Sequence, residues 1–94
     1  MKIKVRFFTR LKEITNKREV ELEVRDDATV GDILRLLEEQ YGQEFSDYIR
    51  NKMGKFRGNL QYLVNGKNVT LFQGFDTKLK ESDTLAIIPP VGGG

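Results

Sequence analysis

The sequence has no cysteine, no histidine and no tryptophan, and only two prolines. Without cysteine there is no disulfide, no thiolate nucleophile and no thiolate metal ligand. Without histidine there is no imidazole ligand and no side chain whose ordinary pKa lies near neutrality. An enzyme built from this chain would have to rely on Asp, Glu, Lys, Arg, Tyr and hydroxyl groups. Long apolar runs are also missing. No stretch could cross a bilayer as a helix, and the opening MKIKVRFFTR has neither the apolar core nor the small-residue cleavage site of a signal peptide. A cytoplasmic location is therefore expected, without membrane partners. An excess of one charge is absent as well. Sixteen basic and 14 acidic residues are mixed along the chain for a net charge of +2, a weak basis for a nucleic-acid partner. Asp26-Asp27 and Glu38-Glu39 read as a turn and a solvated helix face, not as a metal or paired-carboxylate site.

What is present reads as one small α+β domain. The chain of 94 residues is too short for two. Residues 2–8 alternate, with Ile3, Val5 and Phe7 inward and Lys4, Arg6 and Phe8 outward, so they form a half-buried strand. Leu11 and Ile14 are spaced for a single helical turn that Asn16 ends. Residues 18–25 alternate again, with three glutamates outward, and the short link predicts an antiparallel pair with the first strand at a charged sheet edge. Thr29 is placed as an N-cap with Asp32 three residues on. The stripe Val30, Ile33, Leu34, Leu37, Tyr41 predicts an amphipathic helix ending at Gly42.

Phe45, Tyr48, Ile49 and Met53 predict a second, shorter helix stopped by Gly54. Beyond it, Lys52, Lys55 and Arg57 around Phe56 read as a solvated loop, since a nucleic-acid platform would interleave more aromatics with more basic residues. Asn65-Gly66 between two β-prone runs is the preferred chemistry of a type I′ hairpin turn. A long loop comes next, anchored by Leu79 and turned at Glu81-Ser82-Asp83. Thr84 to Ile88 is the last strand, with Leu85 and Ile87 inward and Ala86 and Ile88 outward. Laying the last strand parallel to the first, with the long helix across the sheet, gives a β-grasp: a mixed sheet of four to five strands. The domain is expected over 1–90.

The chain then runs through Pro89 and Pro90 into Val91, Gly92, Gly93 and Gly94. Proline ends the strand and stiffens its exit, while glycine admits almost any backbone conformation. A slim, flexible tail over 91–94 is expected, whose chemical handle is the carboxylate of Gly94. It reads either as a frayed end or as the working part. If Phe8 and Ile88 meet at the ends of parallel strands, they form an outward apolar patch beside the tail, with Ala86 and Leu63 extending it and Lys4 and Arg6 at its rim. The plainer alternative is scattered surface side chains, or cover by the 43–59 segment.

Together IKVRFFTRLKEI, ATVGDILRLL, LVNG, SDTLAIIPPV and the glycine-glycine end resemble the sulfur carriers of the ubiquitin-like β-grasp superfamily. The likeness spans nearly the whole chain. It is strongest to the small subunit of molybdopterin synthase in its archaeal form and to the overlapping small archaeal modifiers. Sulfur carriers of thiamine synthesis and of tRNA thiolation are more distant. The length of the 43–59 segment favours the archaeal form. The end departs from the pattern in being Gly-Gly-Gly, although Gly93 and Gly94 still match.

The resemblance implies a non-catalytic co-substrate that binds no cofactor of its own. An E1-like adenylating enzyme uses ATP and Mg²⁺ to make a glycyl adenylate at Gly94, which a sulfur donor converts to 1-thioglycine, a thiocarboxylate. The sulfur then goes to a precursor held by the molybdopterin synthase large subunit, for molybdenum or tungsten cofactor biosynthesis. In the alternatives, activated Gly94 is joined to lysines of target proteins, or its sulfur serves tRNA thiolation. The partner-binding residues expected are Phe8, Leu63, Ala86, Ile88, Pro89, Pro90, Val91, Gly92 and Gly93. A plain interaction module with an idle tail is the third reading.

Overall fold

The computed structural model describes residues 1–90; Val91, Gly92, Gly93 and Gly94, and the tail expected over them, lie outside the described residues. Strand β1 (Lys2–Phe7) pairs antiparallel with β2 (Glu19–Glu23) and parallel with β5 (Thr84–Ile88). Strand β5 also pairs antiparallel with β3 (Gln61–Val64), which carries the two-residue β4 (Lys67–Asn68). The sheet order is β2-β1-β5-β3-β4. The first and last strands of the described residues, β1 and β5, are neighbours in its interior, paired in parallel, the β-grasp arrangement expected.

Helix α2 (Val30–Tyr41) lies over one face of this sheet. The Thr29 hydroxyl accepts from the Asp32 amide, and the Asp32 carboxylate accepts from the Thr29 amide, so the capping box closes with Asp in the place of Glu. The Thr29 amide, then the guanidinium of Arg35, hold the Asp32 carboxyl down to about 2. Val30, Ile33, Leu34 and Leu37 are buried against Ile3, Val5, Phe7, Leu85 and Ile87 of β1 and β5. Each such side chain contributes about 1.5–3 kcal/mol of burial. Val20 and Leu22 point the same way but are only half-buried, because β2 is the sheet edge. Leu79 is buried, as its anchoring role requires, and the turn before β5 passes through Ser82 at φ 70°. Among the described residues, no helix is long and apolar enough to cross a membrane.

Four expectations need correction. The connection after β1 is a two-turn helix, α1 (Thr9–Thr15), rather than one turn, and Asn16 caps it at φ 58°. Helix α3 (Gln43–Ile49) ends before Met53, which is 82% exposed. Phe45 and Ile49 are the buried residues of α3, and the helix is closed by Arg50, not Gly54. The second arm of the Asn65-Gly66 hairpin is cut short. Both turn residues have the positive φ of a type I′ turn, but the Asn68 side chain accepts from the Thr70 amide and starts a 3₁₀ turn at Val69–Leu71. Lastly, Glu38 is not a solvated helix residue. It accepts hydrogen bonds from Arg50 and from the Ser46 hydroxyl, and the Arg50 contact holds its carboxyl below the usual range.

Candidate functional site

The face of the sheet turned away from α2 is divided by the register of its strands. One row crosses all five: Glu19, Arg6, Ala86, Leu63, Asn68. Over β2 and β1 the row is ionic, with Arg6 Nε 3.0 Å from the Glu19 carboxylate. Over β5 and β3 it is apolar. The next row toward the chain exit continues that division, placing Ile88 opposite Gln61. Leu63, Ala86 and Ile88 are all half-buried, and Pro89 and Pro90 come directly after. An apolar half-face thus leads straight to the end of β5, because alternation along β5 puts Ala86 and Ile88 outward while Leu85 and Ile87 hold the core.

Phe8 stands one residue beyond Phe7↔Ile87, the last pair of β1 and β5. Its backbone is still extended, and it is 38% exposed at the start of α1. The chain turns there through Thr9 at φ 44°, an unusual conformation for a β-branched residue. Phe8 lines an open hollow of about 490 Å³ with Arg6, Lys12, Arg18 and Glu19. It flanks the apolar half-face from the ionic side. Of the two basic residues expected at the rim, Lys4 lies one row further back, opposite Thr84.

The other wall of the exit comes from α3 and from the segment after it, whose basic stretch around Phe56 the sequence presents as a solvated loop. Phe56 is tied down. It packs against Phe75 at 5.1 Å between ring centroids, and the Arg50 guanidinium lies 4.2 Å from the centre of its ring. This folds the segment back so that Asp47, Tyr48, Arg57, Asn59 and Leu60 form a cleft of about 240 Å³ with Pro90. Tyr62, whose burial pushes its hydroxyl pKa up, donates to the Arg57 carbonyl at 3.0 Å and fixes that wall. Arg57 is half-buried, and its Nε is buried without a protein acceptor. The local signal for this wall is weak, since the tie runs from Arg50 on the α3 side to Phe75 on the far loop.

Nothing in Leu63, Ala86, Ile88, Pro89 or Pro90 can act as acid, base or nucleophile. They offer apolar contact surface, and the expected reactive residues, Gly93 and Gly94, lie outside the described residues.

A model of the family described as the ThiS family matches residues 5–94. Small archaeal modifier protein 3 of Haloferax volcanii is 35% identical over 94 residues, which is 100% of each chain. The crystal structure of SAMP1 from Haloferax volcanii superposes with a TM-score of 0.85 at 28% identity, covering 100% of both chains. A Pyrococcus furiosus protein whose provisional name is molybdopterin converting factor, subunit 1, gives a TM-score of 0.78 at 25% identity. The match covers 97% of this chain and 99% of that one.

Proposed function

The chain belongs to the ThiS family of ubiquitin-like sulfur carriers, and from that premise we propose that its own end, the carboxyl of Gly94, is the reactive group. A carboxylate is a poor electrophile. Attack of its oxygen on the α-phosphorus of ATP, with loss of pyrophosphate, makes an acyl adenylate. A sulfide-level nucleophile then adds at the acyl carbon, AMP departs, and a thiocarboxylate remains. ATP and Mg²⁺ belong to the adenylating partner. The proposed recipient of the sulfur is a precursor in the active site of a molybdopterin synthase large subunit. Likeness to a protein provisionally named for molybdopterin conversion supports this.

The observation that carries the reading is the apolar half-face of Leu63, Ala86 and Ile88 running into Pro89-Pro90 and the glycine end. The body supplies a dry contact, and the glycines lack the Cβ atoms that would block a narrow channel. Intact mass tests the chemistry. Incubation with an active cognate adenylating enzyme, ATP and a sulfur source should add about 16 Da, one oxygen exchanged for sulfur at the activated acyl group. An unchanged mass removes the carrier role. The second reading, conjugation of Gly94 to lysine amines, is favoured by the 35% identity to a small archaeal modifier. Peptides in which a target lysine carries a glycyl remnant ending in Gly94 would give it precedence.

The half-face has its own test. Ala86→Arg places a charge in the centre of the apolar row. Activation of Gly94 should then show a KM raised tenfold or more with kcat retained, the signature of lost docking rather than lost chemistry. A KM within twofold of the unsubstituted chain would show that partners dock elsewhere.

A further inference from the structure

The opposite end of the sheet carries a second feature, independent of the glycine end. A groove of about 290 Å³ is lined by Val64, Phe72, Lys67, Lys78, Lys80 and Asp83, together with the polar Asn65 and Thr77. Asn65 sits beside the start of β5, where its amide donates to the Thr84 carbonyl, so the whole strand, about 17 Å for five residues, separates this groove from Pro89. Its apolar part is Val64, which is buried, and Phe72, which is 49% exposed; the buried Thr77 adds a polar side chain to the floor. Leu71 beside Phe72 in the chain is 71% exposed, so two of the four exposed large apolar side chains among the described residues are neighbours here.

The rim is cationic. Lys67, Lys78 and Lys80 are exposed and make no ion pair among the described residues. One carboxylate, that of Asp83, belongs to the lining itself and keeps its charge, so three lysines against one aspartate leave the groove a net charge of +2. Asp83 accepts from the Asn65 side chain and the Lys80 amide through separate oxygens, and Glu81 accepts from the Lys2 amide. Val64 and Phe72 beside three lysines that form no ion pair among the described residues, outnumbering the one aspartate of the lining, are complementary to a segment with apolar side chains flanked by acids.

We propose that this groove is a docking site for an acidic, apolar-centred peptide segment of a protein partner. The apolar side chains cover Phe72 and Val64, and the flanking carboxylates meet Lys67, Lys78 and Lys80. Bound there, a partner leaves the exit of β5 clear, so the domain can be held by one protein while its other end is offered to a second.

The probe is the capped peptide Glu-Asp-Ile-Ile-Asp-Glu, titrated into the ¹⁵N-labelled full chain. Saturable amide shifts are expected at Val64, Lys67, Phe72, Thr77 and Lys78. Affinity should fall tenfold or more in Lys78→Glu/Lys80→Glu and on replacing the two isoleucines of the peptide by serine. It should also weaken severalfold from about 50 to about 500 mM salt, because rim charges are screened. Phe72→Ser serves as a second variant with no change of charge, and each variant's amide spectrum reports whether it is folded. The proposal is overturned if no saturable shifts appear, if they centre on Lys4, Arg6 and Lys12, or if the charge-reversed protein binds as well as the original.

Discussion

Removing Gly93 and Gly94 is expected to reduce activation to background while leaving the circular dichroism of the domain unchanged. Among the described residues the last buried side chain is that of Ile87, and the core is completed by Leu85 and Ile87 against β1 and α2. Nothing in that packing calls on the final glycines. The truncated chain still ends in a carboxylate, on Gly92, but that group stops two residues early. At about 3.3–3.6 Å per extended residue it falls about 7 Å short of where the partner's chemistry requires it. A displacement of about 1 Å can already cost on the order of a hundredfold in rate. Rates within tenfold of the intact chain would mean that the carboxyl of Gly94 is not the reacting group. Loss of dichroism would mean that the glycines support the fold instead. The comparison with Gly94→Ala is informative because it keeps the length and adds one Cβ.

The elements legible in the sequence are those specified by neighbours along the chain. The alternation of β1 and β5, the Thr29–Asp32 box and the positive φ of Asn65 and Gly66 are local, and each is found where the pattern put it. The parallel pairing of β1 with β5 is one economical arrangement that the order of elements suggests, and it is the one found. The placement of two expected contact residues is legible in the same way. Leu63 and Ala86 fall opposite one another because strand period and register place them there.

The features hidden from a sequence reading depend on partners far apart. Glu38 looks like any helix-surface acid until Arg50, twelve residues on, closes over it. Phe56 looks like a loop aromatic until Phe75 and Arg50 enclose it. The exposed pair Leu71-Phe72 results from a local competition in which propensity favours the losing side. Asn-Val-Thr-Leu is β-prone, yet the Asn68 side chain captures the Thr70 amide and turns the chain out of the sheet. That early exit is also what opens the groove beneath Phe72.

Phe45→Ala should be the most destabilising single truncation outside the sheet, by about 3–5 kcal/mol. Phe45 is fully buried, stacked on Tyr41 at 5.9 Å and edge-on to Phe7 at 6.1 Å. It therefore joins α3 to both α2 and β1. A helix of seven residues has no stability of its own in water, so α3 persists through Phe45, Ile49 and the Glu38–Arg50 contact. Native domains are stable by about 5–15 kcal/mol in all. The melting temperature should accordingly drop by at least about 12 °C, taking about 4 °C per kcal/mol as the lower slope for a domain of this size. Asp47→Ala, exposed on the same helix, should stay within about 0.5 kcal/mol. Because Asp47, Tyr48 and Arg57 wall the cleft at Pro90, the same loosening should reach the chain exit. Amide exchange at Tyr48 and Arg57 should speed up in Phe45→Ala well before the sheet opens. A melting temperature lowered by less than about 4 °C, the equivalent of 1 kcal/mol, would show that the sheet and α2 hold the domain without α3, and that the exit is aimed by β5 alone.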